Sequence, residues 1–322
     1  MEQPRVAILG TRYRDFSIEE EQLGPLGATL ISGPGGSPAD ILEVARGATV
    51  ILAGSRPRFT AEVLAGLSCR GIVRYGVGTD SIDLEAAHRL GIAVARVSDY
   101  GTEAVAFHAV SMAVAQLRRL NEVDRSIRSG RWGFGEVRPL HEPSTLAAGV
   151  IGYGRIGRQS AAYLKALGMR VSAYDPYADI PADHDVADVS LEELLATTDV
   201  VLLHAAGRPD GRPLLDAKAL GRMRPGSILV NTARGSLIDF ATLVEALRAG
   251  RPARAALDVF PTEPPDLSAL SDVADKVLLS PHMAWYTEES EADMRQKAAA
   301  EAARLLQGEP LADPVVEIGQ LA

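Results

Sequence analysis

Short apolar runs alternate with stretches of helical spacing along most of the chain. The runs Val6–Leu9, Thr29–Ser32, Val50–Ala53, Ile72–Tyr75 and Ala93–Ala95 read as strands, with helical patterns between most of them, as at Phe59–Gly66 and Asp83–Leu90. That order implies a parallel sheet with helices on both faces. From Thr102 to Leu120, residues Val105, Ala109, Met112, Ala113 and Leu117 give a longer helix an apolar side, and this helix carries the chain toward a second alternating segment. Ser129 to Ser144, rich in Gly, Pro and Arg, reads as an arm or loop. The second segment runs to about His282, and a final helix is expected near Glu288–Leu306 with an extended tail after it. There is no internal repeat and no low-complexity tract.

The second segment opens on Leu146–Arg158, L-A-A-G-V-I-G-Y-G-R-I-G-R, where an apolar strand runs into Gly152, Gly154 and Gly157 and then into a helix starting at Arg155 and Ile156. This is the context a dinucleotide fingerprint requires. Gly152 allows the tight turn, Gly154 lets backbone N–H groups approach a pyrophosphate, and Gly157 lets the helix pack on the strand. The next strand, Arg170–Tyr174, ends on Asp175. An acid about twenty residues past the glycines is expected to bond the ribose hydroxyls. Pro176 and Tyr177 follow it, with no arginine to receive a 2′-phosphate, so NAD is favoured over NADP. Cofactor-binding candidates are therefore Gly152, Gly154, Arg155, Ile156, Gly157 and Asp175.

Downstream, three residue types that could do chemistry each follow an apolar run: Arg234 in N-T-A-R-G, Glu263 in D-V-F-P-T-E-P and His282 in S-P-H. They supply an anion clamp, a carboxylate and a proton donor. In open α/β sheets, ligands bind beyond the carboxyl ends of the strands. Taken singly, each has a plain alternative as a helix cap, a solvated acid or a turn histidine.

Composition narrows the class. A chain of 322 residues suggests two domains, and 47% apolar residues suffices for two cores. No apolar run approaches the length of a membrane span, and the first residues lead into a strand rather than a signal peptide, so a cytoplasmic protein is expected. With a net charge of −9 and no dense basic stretch, nucleic acid is not an expected partner. The single cysteine, Cys69, excludes an intrachain disulfide and a cysteine-cluster metal site, and no metal is expected.

The ordered motifs resemble the D-isomer-specific 2-hydroxyacid dehydrogenases over nearly the whole chain. They are R-Y-G-V-G-T-D-S-I-D at Arg74–Asp83, the fingerprint, N-T-A-R-G-S-L-I-D at Asn231–Asp239, A-A-L-D-V-F-P-T-E-P at Ala255–Pro264 and S-P-H-M-A-W-Y at Ser280–Tyr286. The resemblance implies an α/β protein of two doubly wound parallel-sheet domains. A Rossmann NAD-binding domain of residues 102–284 would be inserted into a flavodoxin-like substrate domain of residues 1–101 and 285–322, with the active site in the cleft between them. It implies that Arg234, Glu263 and His282 are catalytic, that Asp258 lies near the nicotinamide carboxamide, and that Val77 and Gly78, beside Tyr75, hold the substrate carboxylate. The residue types support these roles. Arginine can grip a carboxylate with two charge-assisted bonds and polarise the neighbouring carbonyl, and histidine is suited to donate a proton near neutral pH. A carboxylate beside an imidazole favours its protonated form and fixes its tautomer, which is the work assigned to Glu263.

Trp285 and Tyr286 look similar to the branch containing the C-terminal binding proteins and their bacterial relatives, as do Asp99–Glu103 and Tyr75. Trp285 would shape the substrate pocket or pack between domains. That branch also supplies another reading, an NADH-sensing binding protein with little turnover. Two departures stand out: Phe107 replaces the usual acid before His108, and Ala205-Ala206-Gly207-Arg208 replaces a Val-Pro-Leu-like turn after His204. His204 itself is read as near the cofactor or as structural. Arg12 and Arg14 follow the first strand, Arg56 and Arg58 the third, and one of these, Arg56 first, is a candidate for a second anionic group on the substrate. Trp285 argues instead for a bulky apolar tail. A homodimer through Thr102–Pro143 is inferred mainly from the family.

Overall fold

The computed structural model describes residues 3–208 and 210–318. The chain divides into two compact units, residues 1–101 with 287–322 and residues 102–286. In chain order the first unit holds β1 (Arg5–Leu9), α1 (Ser17–Leu23), β2 (Thr29–Gly33), α2 (Pro38–Val44), β3 (Val50–Ala53), α3 (Ala61–Ala65), β4 (Gly71–Arg74), α4 (Leu84–Arg89) and β5 (Ala93–Ala95). The second holds α5 (Thr102–Leu117), α6 (Leu120–Arg128), β6 (Ala147–Ile151), α7 (Arg155–Ala166), β7 (Arg170–Tyr174), β8 (Ala187–Asp188), α8 (Leu191–Thr197), β9 (Val200–Leu203), α9 (Ala217–Arg222), β10 (Ile228–Asn231), α10 (Phe240–Ala249), β11 (Arg254–Leu257) and β12 (Val277–Leu279). The chain then returns to the first unit as α11 (Glu288–Gln307) and β13 (Pro314–Val316).

The first sheet runs β13-β5-β4-β3-β1-β2, parallel except for β13, which pairs antiparallel with β5. The second runs β12-β11-β10-β9-β6-β7-β8, parallel throughout. Both are doubly wound, and each reverses its strand order next to its first strand. In such a sheet both faces are covered, so strands are apolar on both sides. β9 shows this with a period of two: Val201 and Leu203 enter a core with Leu195, Leu220 and Leu243, while Val200 and Leu202 enter the opposite core with Ala109, Met112 and Leu164. Each such side chain contributes roughly 1.5–3 kcal/mol when fully buried. Crossover helices are started by side chains that accept from the first-turn amides, Asp83 for α4, Ser190 for α8 and Asp239 for α10, each cap being worth about 1 kcal/mol.

The structure adds detail to the sequence expectation. The long helix expected over Thr102–Leu120 stops at Leu117, and Arg119 adopts a left-handed φ of 51° before α6 begins. The apolar side of α5 is buried against α7 and the second sheet inside its own unit. The tail after α11 adds the edge strand β13. Among the described residues no helix is long and apolar enough to cross a membrane.

Candidate active site

β6 runs directly into the glycine turn, and Gly154 is the N-cap of α7. Gly152 adopts φ 93°, and a Cβ there would lie 2.5 Å from the Ala205 nitrogen. A Cβ on Gly157 would lie 2.0 Å from the Gly152 carbonyl oxygen, so the helix can sit this close only without a side chain. At Gly154 a Cβ would meet nothing within 4 Å. Its backbone therefore faces open space at a helix N-terminus, where unpaired N–H groups and the helix dipole favour an anion. Arg155 is exposed beside it and Ile156 half-buried.

Asp175, at the end of β7, braces this turn. Its Oδ2 accepts from the Tyr153 N–H at 2.7 Å and its Oδ1 from the Tyr177 N–H at 2.9 Å. Tyr153 itself is buried beneath the turn, with its hydroxyl 3.2 Å from His184 Nδ1. His204, after β9, places Nε2 2.9 Å from Ser160 Oγ on α7. Burial pushes its pKa down to about 4, which keeps the ring neutral. The turn, the helix end and the carboxylate fit a dinucleotide. Among the described residues no group of three His, Cys, Asp or Glu could hold a metal.

Arg234, Glu263 and His282 follow the neighbouring strands β10, β11 and β12, so the parallel register delivers all three to one end of one sheet. Asn231, the last residue of β10, curls the chain: its Oδ1 accepts from the Ala233 N–H at 3.0 Å and its Nδ2 donates to the Arg234 carbonyl at 2.9 Å. Gly235 then passes so close to Phe260 that a Cβ would stand 2.0 Å from its carbonyl carbon. This contact sets the arginine loop against the loop carrying Glu263. Arg234 donates from Nη1 to the Ala233 carbonyl at 2.8 Å.

Glu263 accepts from the Phe260 N–H through Oε1 at 3.1 Å, and its Oε2 lies 2.7 Å from His282 Nδ1. The two side chains remain 38% and 43% exposed, so the pair is open to a ligand. With Nδ1 turned to a carboxylate, Nε2 is the nitrogen left for a substrate. It accepts a proton when the ring is neutral and donates one when the ring is charged.

His282 has φ 52°, a strained value for a side chain of this kind. Asp258, fully buried after β11, holds it there. The His282 N–H donates to the Asp258 carbonyl at 2.8 Å, the Met283 N–H to Oδ1 at 2.9 Å and the Ala284 N–H to Oδ2 at 2.9 Å. Ser280 Oγ also donates to Oδ1 at 2.6 Å, and His108 Nε2 on α5 lies 3.1 Å from Ser280 Oγ. Sequence reasoning placed Asp258 at the cofactor and made no use of Ser280, Asn231 or His108. A short polar residue at the end of an apolar strand was the available signal for Asn231, since Asx residues bond the backbone two positions on. Nothing local marks His108, which is 172 residues from its partner.

In the first unit, Tyr75–Gly78 follow β4. Val77 is 37% exposed, and among the described residues the N–H groups of Val77 and Gly78 make no hydrogen bond. The phenol of Tyr75 is buried and donates to Glu19 Oε1 at 2.9 Å, so Tyr75 reaches a ligand only through the turn it anchors. Arg12 and Arg14 after β1, and Arg56 and Arg58 after β3, are exposed at the carboxyl ends of two adjacent strands where the strand order reverses. Trp285 is half-buried and meets Tyr286 edge-on at 5.7 Å.

Residues 110–284 match the sequence model of a family described as D-isomer specific 2-hydroxyacid dehydrogenase, NAD binding domain. D-3-phosphoglycerate dehydrogenase of Archaeoglobus fulgidus is 34% identical over 268 residues, 82% of this chain and 51% of that protein. The enzyme of the same name from Mycobacterium tuberculosis is 36% identical over 272 residues, 83% of this chain and 51% of that protein. The chain thus spans about half the length of the curated relatives it matches. Among solved structures, the TT0316 protein of Thermus thermophilus superposes with a TM-score of 0.87 at 32% identity, covering 97% of this chain and 100% of that one. D-lactate dehydrogenase of Aquifex aeolicus, complexed with NAD and lactic acid, superposes with a TM-score of 0.87 at 26% identity, covering 98% and 100%.

Proposed function

The chain belongs to the D-isomer-specific 2-hydroxyacid dehydrogenases, and we propose that it is an NAD-dependent member that reduces a 2-oxo acid to the D-2-hydroxy acid. The observation that carries this reading is the Glu263–His282 pair, 2.7 Å apart and exposed at the same sheet end as Arg234. When bound, the nicotinamide supplies the hydride that reaches C2. Arg234 grips the substrate carboxylate and polarises the carbonyl; in the first unit, the Val77 and Gly78 N–H groups are carboxylate donors. His282 donates the proton from Nε2 to the carbonyl oxygen, while Glu263 holds Nδ1–H and stabilises the charged ring that precedes transfer. Asp258 fixes the turn and would stand near the carboxamide of a bound nicotinamide. Asp175 takes the ribose hydroxyls and, with no arginine next to it, favours NAD over NADP. The assembled acid and base partners favour turnover over a cofactor-sensing role.

For the substrate, the curated relatives are named D-3-phosphoglycerate dehydrogenases, and Arg56 and Arg58 are exposed cations at the strand-order reversal. Together these favour a 2-oxo acid with a second anionic group over one with a bulky apolar tail beside Trp285. The protein is also proposed to form a homodimer through residues 102–143. α6 buries none of its residues, and Ile127, Trp132 and Phe134 are at least half exposed.

The test is NADH oxidation against paired mono- and dianionic 2-oxo acids, with His282→Ala and Arg56→Ala alongside. Turnover should fall about 10²- to 10⁴-fold in His282→Ala with NADH still bound, and Arg56→Ala should raise KM only for dianions. NADH binding without turnover of any 2-oxo acid would refute the dehydrogenase reading.

A further inference from the structure

Behind the Tyr75–Gly78 turn lies a buried polar network that the proposed chemistry does not use. Glu19 in α1 is fully buried and Arg295 in α11 nearly so. They pair through two bonds, Arg295 Nε to Glu19 Oε1 at 3.0 Å and Nη2 to Oε2 at 2.6 Å. Glu19 Oε1 also accepts the Tyr75 hydroxyl at 2.9 Å. The same guanidinium donates to the Asp15 carbonyl at 2.6 Å and lies 4.5 Å over the Tyr13 ring, which meets the Tyr75 ring edge-on at 5.6 Å. One arginine from the C-terminal helix therefore touches the loop after β1 and, through one glutamate, the residue that opens the turn after β4.

A buried ion pair adds little to stability, because desolvation consumes most of its attraction. A two-pronged arginine–carboxylate pair does supply a fixed geometry. That geometry is spent on two segments facing the carboxyl ends of the strands. The Tyr75 N–H donates to the Ala53 carbonyl at 2.9 Å, its carbonyl accepts from Arg74 Nη1, and the Gly76 carbonyl accepts from the Val97 N–H at 3.2 Å. Tyr75 is thus fixed through its N–H, carbonyl and phenol and Gly76 through its carbonyl, while among the described residues the N–H groups of Val77 and Gly78 make no hydrogen bond. The loop after β1 carries Arg12 and Arg14 on either side of the clamped Tyr13.

We propose that Arg295 is a positioning residue for substrate binding. Paired with Glu19, it sets the Tyr75 turn and hence the N–H groups of Val77 and Gly78, and through Tyr13 and Asp15 it sets the loop bearing Arg12 and Arg14. This rests on the reading of Val77 and Gly78 as the carboxylate site. Because those N–H groups would bind ground state and transition state alike, disturbing them raises KM and leaves kcat in place.

The experiment compares full-length wild type with Tyr75→Phe, Arg295→Lys, Arg295→Met and the double variant Glu19→Leu/Arg295→Met, in which apolar groups of similar size replace the pair. Readouts are kcat and KM for the 2-oxo acid, the NADH Kd, melting temperature and hydrogen exchange of residues 75–79. The double variant, which takes their partners from the Tyr75 hydroxyl and the Asp15 carbonyl, should melt below wild type but remain folded, bind NADH normally and turn over at a kcat within about twofold, with KM up about tenfold and faster exchange at 75–79. Tyr75→Phe should raise KM about threefold, and Arg295→Lys should recover part of the loss seen in Arg295→Met. Wild-type KM and wild-type exchange in the folded double variant overturn the proposal. Should that variant fail to fold, the same result in Tyr75→Phe overturns it. If wild type turns over no 2-oxo acid, only the dehydrogenase reading fails, and exchange at 75–79 alone decides: faster supports the positioning role, unchanged overturns it.

Discussion

Alanine at Gly154 and, separately, at Gly157 distinguishes a pyrophosphate seat from a merely tight turn. At Gly154 the backbone angles of −75° and −160° are open to any residue, and the new methyl meets no atom within 4 Å. The lost N-cap preference, up to about 1 kcal/mol, is offset by the about 0.4–1 kcal/mol that alanine contributes by restricting the unfolded chain. Stability should stay within about 1 kcal/mol of wild type, a shift of roughly 2–4 °C at most for a unit of this size. On the proposed placement of the pyrophosphate, the methyl nevertheless stands where phosphate oxygens would approach the backbone. Overpacking of about 1–3 kcal/mol weakens NADH about 5- to 150-fold. At Gly157 the order reverses. Its Cβ lies 2.0 Å from a backbone oxygen, far inside the 3.4 Å at which ordinary contact begins, so helix and turn must separate. That variant should lose about 1–3 kcal/mol of stability, or roughly 2–12 °C. Calorimetric titration with NADH and thermal melting measure the two effects. Gly154→Ala binding NADH within twofold of wild type would refute the placement of the pyrophosphate.

Three further outcomes are expected. Glu263→Gln keeps an oxygen for the Phe260 N–H but removes the charge opposite the imidazolium, so kcat should drop about ten- to hundredfold with NADH affinity unchanged; steady-state rates within twofold of wild type would show that the carboxylate charge does no work. His204 is held down from the ordinary 6.5 to about 4, so the unfolded chain takes up its proton first, and stability is lost as pH falls from about 6.5 toward about 4. His204→Gln, which still reaches Ser160, should gain on wild type in melting curves run from pH 7 down to 4.5, and parallel curves would count against it. Trp132→Ser combined with Phe134→Ser removes side chains that are 90% and 68% exposed, and should shift the protein toward monomer in light scattering; an unchanged mass would place the interface elsewhere.

The sequence by itself determined the elements whose cause is local. Runs such as Val200–Leu203 are too short and too apolar to be anything but strands of a covered sheet, and β3, β5 and β7 fall where the pattern puts them. The glycine turn was legible because strand, turn and helix are contiguous, and Arg234, Glu263 and His282 stood out as candidates because each comes within a few residues of the end of an apolar run, of which the structure brings Glu263 and His282 together. Tertiary structure decided whatever depends on partners distant along the chain. The left-handed turn at Arg119 starts a further helix, α6, beyond the helix expected over Thr102–Leu120, and β13 exists only because β5 offers it an edge. Asp258 reads from sequence as a cofactor contact, yet its bonds to the turn of His282 span 25 and 26 residues. Arg295 looks like an ordinary helix-surface cation until Glu19, 276 residues away, is brought against it. Hydrophobic period and backbone sterics act over a few residues and can be read in one dimension. The pairing of buried polar groups is satisfied only in three, because a buried donor must find its acceptor wherever the fold happens to place one.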